Sequence, residues 1–446
     1  MLKQKDFKKH FPTKGYLHID RRIPFERVKD YVMDPHEIST HSFLPLIHYI
    51  AKNERYIGYQ HSSLGNRPFK TKKRKIMYAG HFDSYVYKYY SILLNNVFNS
   101  YSVKIGIDEC VTAYRDNKKG LSNIDFAAEV INKIVAYENA FIYLGDFTEF
   151  FDRIDHKQLK YNLQKVSKSS WLSDDWYNVF RSLTKYGYYH KVELNECYGS
   201  DNEIRRAGKY SYFKNLKEFR DYKSEHKPCY NSSLYGIPQG TALSGVFANV
   251  YCVDFDRKMN SIAKRYNGIY RRYSDDFILV IPKRKLLSKA EIIQNVEDSA
   301  KIYNLDLQKE KTETLIYKKE NIYDYESNHK THLDYLGFIL EGIQVKVRSK
   351  SIYKFYRKAS KLIKKAKRVK MKKDLDKLPY RKQIYRMYTD MGAGKKPYGN
   401  FITYIKNSQR IFDNVSPYTN NLMLDQIKNR KRKIEQMLGY RIHTRI

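Results

Sequence analysis

A chain of 446 residues, 42% of them hydrophobic, can bury a large core, and 84 Lys plus Arg against 48 Asp plus Glu give it a formal charge of +36. That excess predicts a polyanionic partner and salt-dependent binding, because each cation that neutralises a phosphate releases a counterion. No apolar run reaches the ~20 residues of a membrane span, and Cys110, Cys197, Cys229 and Cys252 lack the paired spacing of a zinc ribbon or disulfide framework; a membrane protein and a disulfide scaffold are disfavoured, and a cytoplasmic protein with reduced thiols and no membrane partner is expected.

In chain order, helices are predicted over 84–101 and 124–137, with a basic strip at Arg67, Lys70, Lys72, Lys73, Arg74 and Lys75 between the start and the first of them. The apolar run 141–145 reads as a buried strand that delivers Asp146 at its end, where a carboxylate is costly without a compensating ion. From Asp146 to Gln239 there are 93 positions, holding Trp171, Trp176, the aromatic run 186–190 and the mixed-charge stretch 195–227. Aromatics amid charges either stack on unpaired bases or pack a satellite core, the second reading suiting the tryptophans better. At 236–249, Gly and Pro form a constrained turn, and small residues then enter a helix that another molecule could approach closely.

In the run 272–280, Asp275 and Asp276 stand between strand-like flanks. Adjacent carboxylates repel and project to opposite sides of an extended backbone, so a hairpin tip beside a cation suits them. An isolated Asp-Asp pair would read as a solvated turn. Together with Asp146 it reads differently: three carboxylates from two neighbouring strands can hold two Mg²⁺ ions roughly 3.5–4 Å apart, the chemistry of nucleotidyl transfer. After residue 338 the chain reads as basic helices over 351–373, 380–391 and 421–438, with a Gly/Pro break at 392–400; residues 341–446 hold 29 Lys plus Arg against 7 Asp plus Glu, a net +22.

The Asp146 run, Pro238-Gln239-Gly240, Tyr273-Ser274-Asp275-Asp276, the stretch 305–313 and the stretch 333–338 stand in the order of motifs A to E of reverse transcriptases, which the chain resembles from about residue 67 to 338. The resemblance implies an α+β right-hand polymerase: an N-terminal extension and fingers over 1–145, an antiparallel-sheet palm over 146–340 with an insertion at about 160–230, and a basic helical thumb over 341–446. It implies that Asp146, Asp275 and Asp276 are catalytic and hold two Mg²⁺ ions, or Mn²⁺, with the Phe147 carbonyl as a further metal contact. Arg74 would meet the triphosphate, Phe151 would be the steric gate five positions after Asp146, Gln239 would touch the template or nucleotide, and Lys311 would donate a proton or contact a phosphate. Lys364, Lys365, Lys367 and Arg368 would track nucleic acid.

The reaction implied is RNA-directed DNA synthesis from dNTPs, with template RNA and DNA product as partners and a homo-oligomer compatible with the sequence. The primer is open between RNA, DNA and a tyrosine hydroxyl, the 43 tyrosines reading as stacking residues or as AT-rich coding bias. The chain lacks a retron-type Val-Thr-Gly beyond motif E and the Cys/His spacing of a group II intron nuclease, while the run from Arg348 to Arg357 is similar to bacterial defence-associated reverse transcriptases. That similarity implies antiphage defence with a structured non-coding RNA. A retron or group II intron-like enzyme, an RNA-dependent RNA polymerase and an RNA-binding effector with a vestigial site are the alternatives.

Overall fold

The computed structural model describes residues 10–56, 69–283, 288–393 and 399–442. Arg67 and the side chain of Lys70, both in the basic strip, lie outside the described residues. Among the described residues the strands are β1 (Leu46–Tyr56), β2 (Phe69–Tyr78), β3 (Asn139–Asp146), β4 (Gly187–His190), β5 (Cys229–Tyr230), β6 (Ile269–Tyr273) and β7 (Asp276–Pro282). They continue with β8 (Glu313–Lys318), β9 (Asn321–Asp324), β10 (Lys330–Thr331), β11 (Leu333–Tyr335), β12 (Phe338–Glu341), β13 (Gln344–Val347) and β14 (Asn420–Asn421).

The central sheet has the order β10-β9-β8-β3-β7-β6, every neighbouring pair antiparallel. Its inner strands are buried on both faces, which explains their near-continuous apolar runs. Phe141, Tyr143, Phe277, Leu279 and Ile281 enter one core, and the alternating Ala140, Ile142, Ile278 and Val280 enter a second. The first core is closed by the helix His81–Lys104, whose first two N–H groups, of His81 and Phe82, donate to the Asp20 carboxylate at 2.9 Å each. The second is closed by the helix Asn123–Ala136, which starts in a Ser122/Asp125 capping box and buries Ile124, Ala127, Ile131 and Ile134.

The interval between Asp146 and Gln239 folds as short helices and the strands β4 and β5, which join β1 and β2 in the sheet β2-β1-β4-β5. A satellite core does form there, from Leu17, Ile19, Ile47, Tyr189, Leu194, Ile204, Tyr212, Phe213, Phe219 and Tyr222. The tryptophans are not in it: Trp176 packs on the first core and Trp171 is 71% exposed. The reason is position, since Trp171 precedes the helix Asp174–Thr184 in a surface loop.

The C-terminal part differs from expectation in two places. A helix over 421–438 is replaced by β14, the turn Asp425–Ile427 and the helix Arg430–Leu438, because Asn420 and Asn421 pair with Gln344 and Val345 of β13. The helix Phe401–Val415, capped by Asn400, is additional to the expected helices; it buries Ile402, Ile405, Ser408 and Phe412 against the second core. The helix Ser349–Lys372 buries Phe355, Ala359, Ile363 and Ala366 and leaves Lys364, Lys365, Lys367 and Arg368 exposed on its other sides. Among the described residues no helix is long and apolar enough to cross a membrane.

Candidate active site

Asp146 ends β3 and Asp276 begins β7, and the two are direct cross-strand partners. They share the face that carries Ile142 and Val280, so both carboxylates emerge where that face runs out of core. Tyr273 pairs with Asp276, leaving Ser274 and Asp275 as a two-residue hairpin tip. The Asp275 carbonyl accepts from the Phe147 N–H at 3.3 Å, which ties the tip to the residue after Asp146. Gly145, opposite Phe277, has no room for a side chain: a Cβ there would run into the Phe277 ring, which lies across it between Tyr143 and Phe147.

Charge crowding is visible in the site. The packing around Asp276, then the neighbouring carboxylates of Asp275 and Asp146, push its carboxyl up to about 7, although one side of the residue stays open to solvent. Lys311, at the end of the turn Lys309–Lys311, places Nζ 2.8 Å from Asp146 Oδ2 and is the cation in contact with the cluster. No group of three or more His, Cys, Asp or Glu side chains among the described residues is gathered into a ready chelate.

Behind the tip lies a buried polar network that the sequence reading missed. Arg272 is fully buried and grips Asp256 with two hydrogen bonds, Nε to Oδ1 at 2.8 Å and Nη2 to Oδ2 at 2.7 Å, while Tyr270 donates to Asp256 at 2.8 Å. The same guanidinium donates through Nη1 to the Ser274 carbonyl at 2.9 Å and to Asn249 at 3.3 Å. Ser274 is held at φ 63°, a strained region for a residue with a side chain, and its hydroxyl also meets the Tyr114 hydroxyl at 3.2 Å. The signal was present: an Arg inside a core strand, and an Asp on the buried face of the helix Val253–Arg265.

The remaining predicted residues surround this cluster unevenly. Phe151 is half-buried beside Phe150, and its carbonyl accepts from the Ile237 N–H at 2.9 Å, which joins the Asp146 segment to the Gly236–Gly240 turn. The Gln239 carbonyl accepts from the Met77 N–H at 2.9 Å, bringing the end of β2 against the turn. Gly240, at φ 136°, leaves no space for a Cβ beside the Met77 carbonyl. The helix Ser244–Tyr251 is buried along its whole length, so its small residues admit the protein's own Tyr114 ring over Gly245 rather than another molecule. Arg74 is exposed on β2, on the face shared with Ile76 and Tyr78; Lys73, Lys75 and Met77 alternate to the other face, and the Lys75 charge acts on Asp152, next to Phe151. Lys364, Lys365, Lys367 and Arg368 belong to the helix Ser349–Lys372 and not to this cluster.

Among solved structures the chain is similar to telomerase from Candida tropicalis truncated from its C-terminal domain (13% identity over 68% of this chain and 55% of that one, TM-score 0.42). It is also similar to telomerase from Candida albicans in complex with a fragment of telomeric RNA (13% identity, 93% and 65% covered, TM-score 0.39). A third is the RNA-dependent RNA polymerase of a human picobirnavirus (13% identity, 66% and 42% covered, TM-score 0.36). The chain therefore spans less than two thirds of the length of each of them. No curated protein matches it. A family model described as reverse transcriptase (RNA-dependent DNA polymerase) matches residues 116–340, about half of the chain, including Asp146, Gln239, Asp275, Asp276 and Lys311. An antiparallel sheet presenting these carboxylates in an α+β chain is the right-hand polymerase architecture, and the chain belongs to the reverse transcriptase (RNA-dependent DNA polymerase) family.

Proposed function

We propose that this protein is an active RNA-directed DNA polymerase that extends a primer 3′-hydroxyl with dNTPs on an RNA template. The observation that supports this best is the pairing of Asp146 with Asp276 at the end of the central sheet, with Asp275 at the adjoining tip and Lys311 in contact. The donor set fits a hard divalent cation, since all three are carboxylates and the raised Asp276 is the strain such an ion relieves. Asp146, Asp275, Asp276 and the Phe147 carbonyl would hold two Mg²⁺ ions, with Mn²⁺ as a substitute. When bound, the ions supply activation of the attacking hydroxyl and neutralisation of the leaving pyrophosphate.

The chain's own residues do the rest. Lys311 carries a proton at Nζ beside the reacting phosphates, Phe151 excludes a 2′-hydroxyl by its ring, and Gln239 orients the nascent pair. Arg74, with Lys73 and Lys75 on the other face of the same strand, contacts the triphosphate. In this reading residues 1–145 form the extension and fingers, 146–340 the palm with its insertion at about 160–230, and 341–446 the thumb, whose Lys364, Lys365, Lys367 and Arg368 track the duplex. A cytoplasmic role in antiphage defence with a structured non-coding RNA is supported by the run from Arg348 to Arg357.

Primer extension by the purified chain on an RNA template tests the reading. Wild type is expected to incorporate dNTPs in Mg²⁺, and Asp275→Asn or Asp146→Asn to lose incorporation while remaining folded. Near-normal synthesis by either variant removes the catalytic assignment, and inactivity of the wild type on every primed template favours a vestigial effector.

A further inference from the structure

Away from the carboxylates, where the chain's first described segment crosses the satellite core, there is a cleft of about 680 Å³. That is within the roughly 300–1,000 Å³ typical of ligand sites. Its floor is rigid: Tyr212 and Phe213 belong to the satellite core, the Tyr212 N–H donates to the His18 carbonyl at 3.0 Å, and the Tyr212 hydroxyl has Asn195 Oδ1 and Asp201 Oδ1 as alternative acceptors at 3.1 and 3.2 Å. Its walls are basic. Arg21, Arg22, Lys209 and Lys214 face one carboxylate, Glu218, whose Oε2 is already taken by the Lys214 N–H at 2.6 Å.

One aromatic ring is offered to whatever enters. Tyr210 is 62% exposed, and the Arg22 guanidinium stands 5.6 Å from its ring centroid. Arg22 is held in place by donating through Nη2 to the Gly15 carbonyl at 2.6 Å, where Arg205 also donates at 2.9 Å, and its buried Nε has no hydrogen-bond partner. An exposed ring backed by a fixed guanidinium and flanked by cations is what a flat base and its phosphates need. A duplex keeps its base faces stacked inside and would present only phosphates to a concave site.

We propose that this cleft is a binding site for unpaired nucleic acid, with a base stacked on Tyr210 and the flanking phosphates on Arg21, Lys209 and Lys214. It shares no residue with the carboxylate site, so it holds a strand at a second place on the molecule. Binding there does not depend on catalysis.

The test is photocross-linking of the full chain with short single strands carrying 4-thiouridine or 4-thiothymidine, followed by mass spectrometric mapping. Cross-links within 205–214 are expected. Equal yield from RNA and DNA assigns recognition to base and phosphate, and an RNA preference adds the 2′-hydroxyl; either supports the site. Tyr210→Ala should lower the yield there roughly tenfold, within the range that stacking supplies, while Tyr210→Phe retains it. A Lys209→Glu, Lys214→Glu variant with unchanged melting temperature should lose it as well. Cross-links found only elsewhere, such as on 349–372, or an unchanged yield in both Tyr210→Ala and the charge variant, would overturn the proposal.

Discussion

Asp276 shows how one residue carries the tension of the site. Its carboxyl is raised from 3.8 to about 7 by surrounding protein and by Asp275 and Asp146. The folded chain therefore binds more protons than the unfolded chain between those values, and the group's contribution to stability is most favourable below 3.8 and is lost as pH rises through 7. Asp276→Asn removes the loss. Its melting temperature without divalent metal should exceed that of wild type at pH 8 and match it at pH 4, and added Mg²⁺ should narrow the difference at pH 8. Equal melting temperatures at pH 8 would mean that the carboxylates do not strain one another. The other residue whose role rests on its own shape is Phe151. Wild type is expected to prefer dNTPs, and Phe151→Ala to accept rNTPs, within the ~1–3 kcal/mol, or roughly 10- to 200-fold, that fit in a pocket supplies. Paired dNTP and rNTP incorporation measures it; equal use of both by wild type would favour an RNA polymerase.

At the scale of the element, the β6–β7 hairpin carries the Asp275–Asp276 tip on a buried ion pair. Removing one partner of such a pair costs about 3–5 kcal/mol, whereas replacing both by apolar residues is often neutral. Arg272→Gln should therefore destabilise strongly, and the double change Arg272→Met, Asp256→Leu should recover much of the melting temperature. The double variant still lacks the donor to the Ser274 carbonyl. A persistently raised Mg²⁺ requirement in primer extension, at restored stability, would mark Arg272 as a positioning residue; full recovery of both would mark it as structural only. This hairpin was half legible. Two adjacent Asp between strand-like flanks announced the tip, but nothing local to 269–276 says that Asp256, a helix away, is the counter-charge. The 333–338 stretch was legible only as part of the family's motif order, and Leu336 at φ 47° and Gly337 at φ 98° make it a tight two-residue β11–β12 hairpin. The helix Phe401–Val415 was not, because its polar face and the neighbouring break at 392–400 hide a spacing that only burial against Phe338 and the second core explains.

For the whole molecule, charge and core are distributed differently. Residues 341–446 carry +22 of the total +36, and on the helix Ser349–Lys372 the cations lie opposite a stripe buried in the second core. Neutralising Lys364, Lys365, Lys367 and Arg368 should leave the melting temperature nearly unchanged and reduce the slope of log K against log salt by up to ~0.9 for each lost duplex phosphate contact. Titrating duplex affinity against salt checks it, and an unchanged slope would place the electrostatic footprint elsewhere. The sequence by itself determined the three carboxylates at strand ends and the excess of positive charge, because apolar runs ending in Asp and net charge are properties of local pattern and composition; the antiparallel sheet was implied by the family resemblance. Only the tertiary structure decided that Lys311 sits on Asp146, that Arg272 holds the tip through Asp256, and that the aromatics of the long interval close over the chain's first described segment. Those contacts join residues far apart in the chain, and their energy depends on burial, which no local pattern encodes.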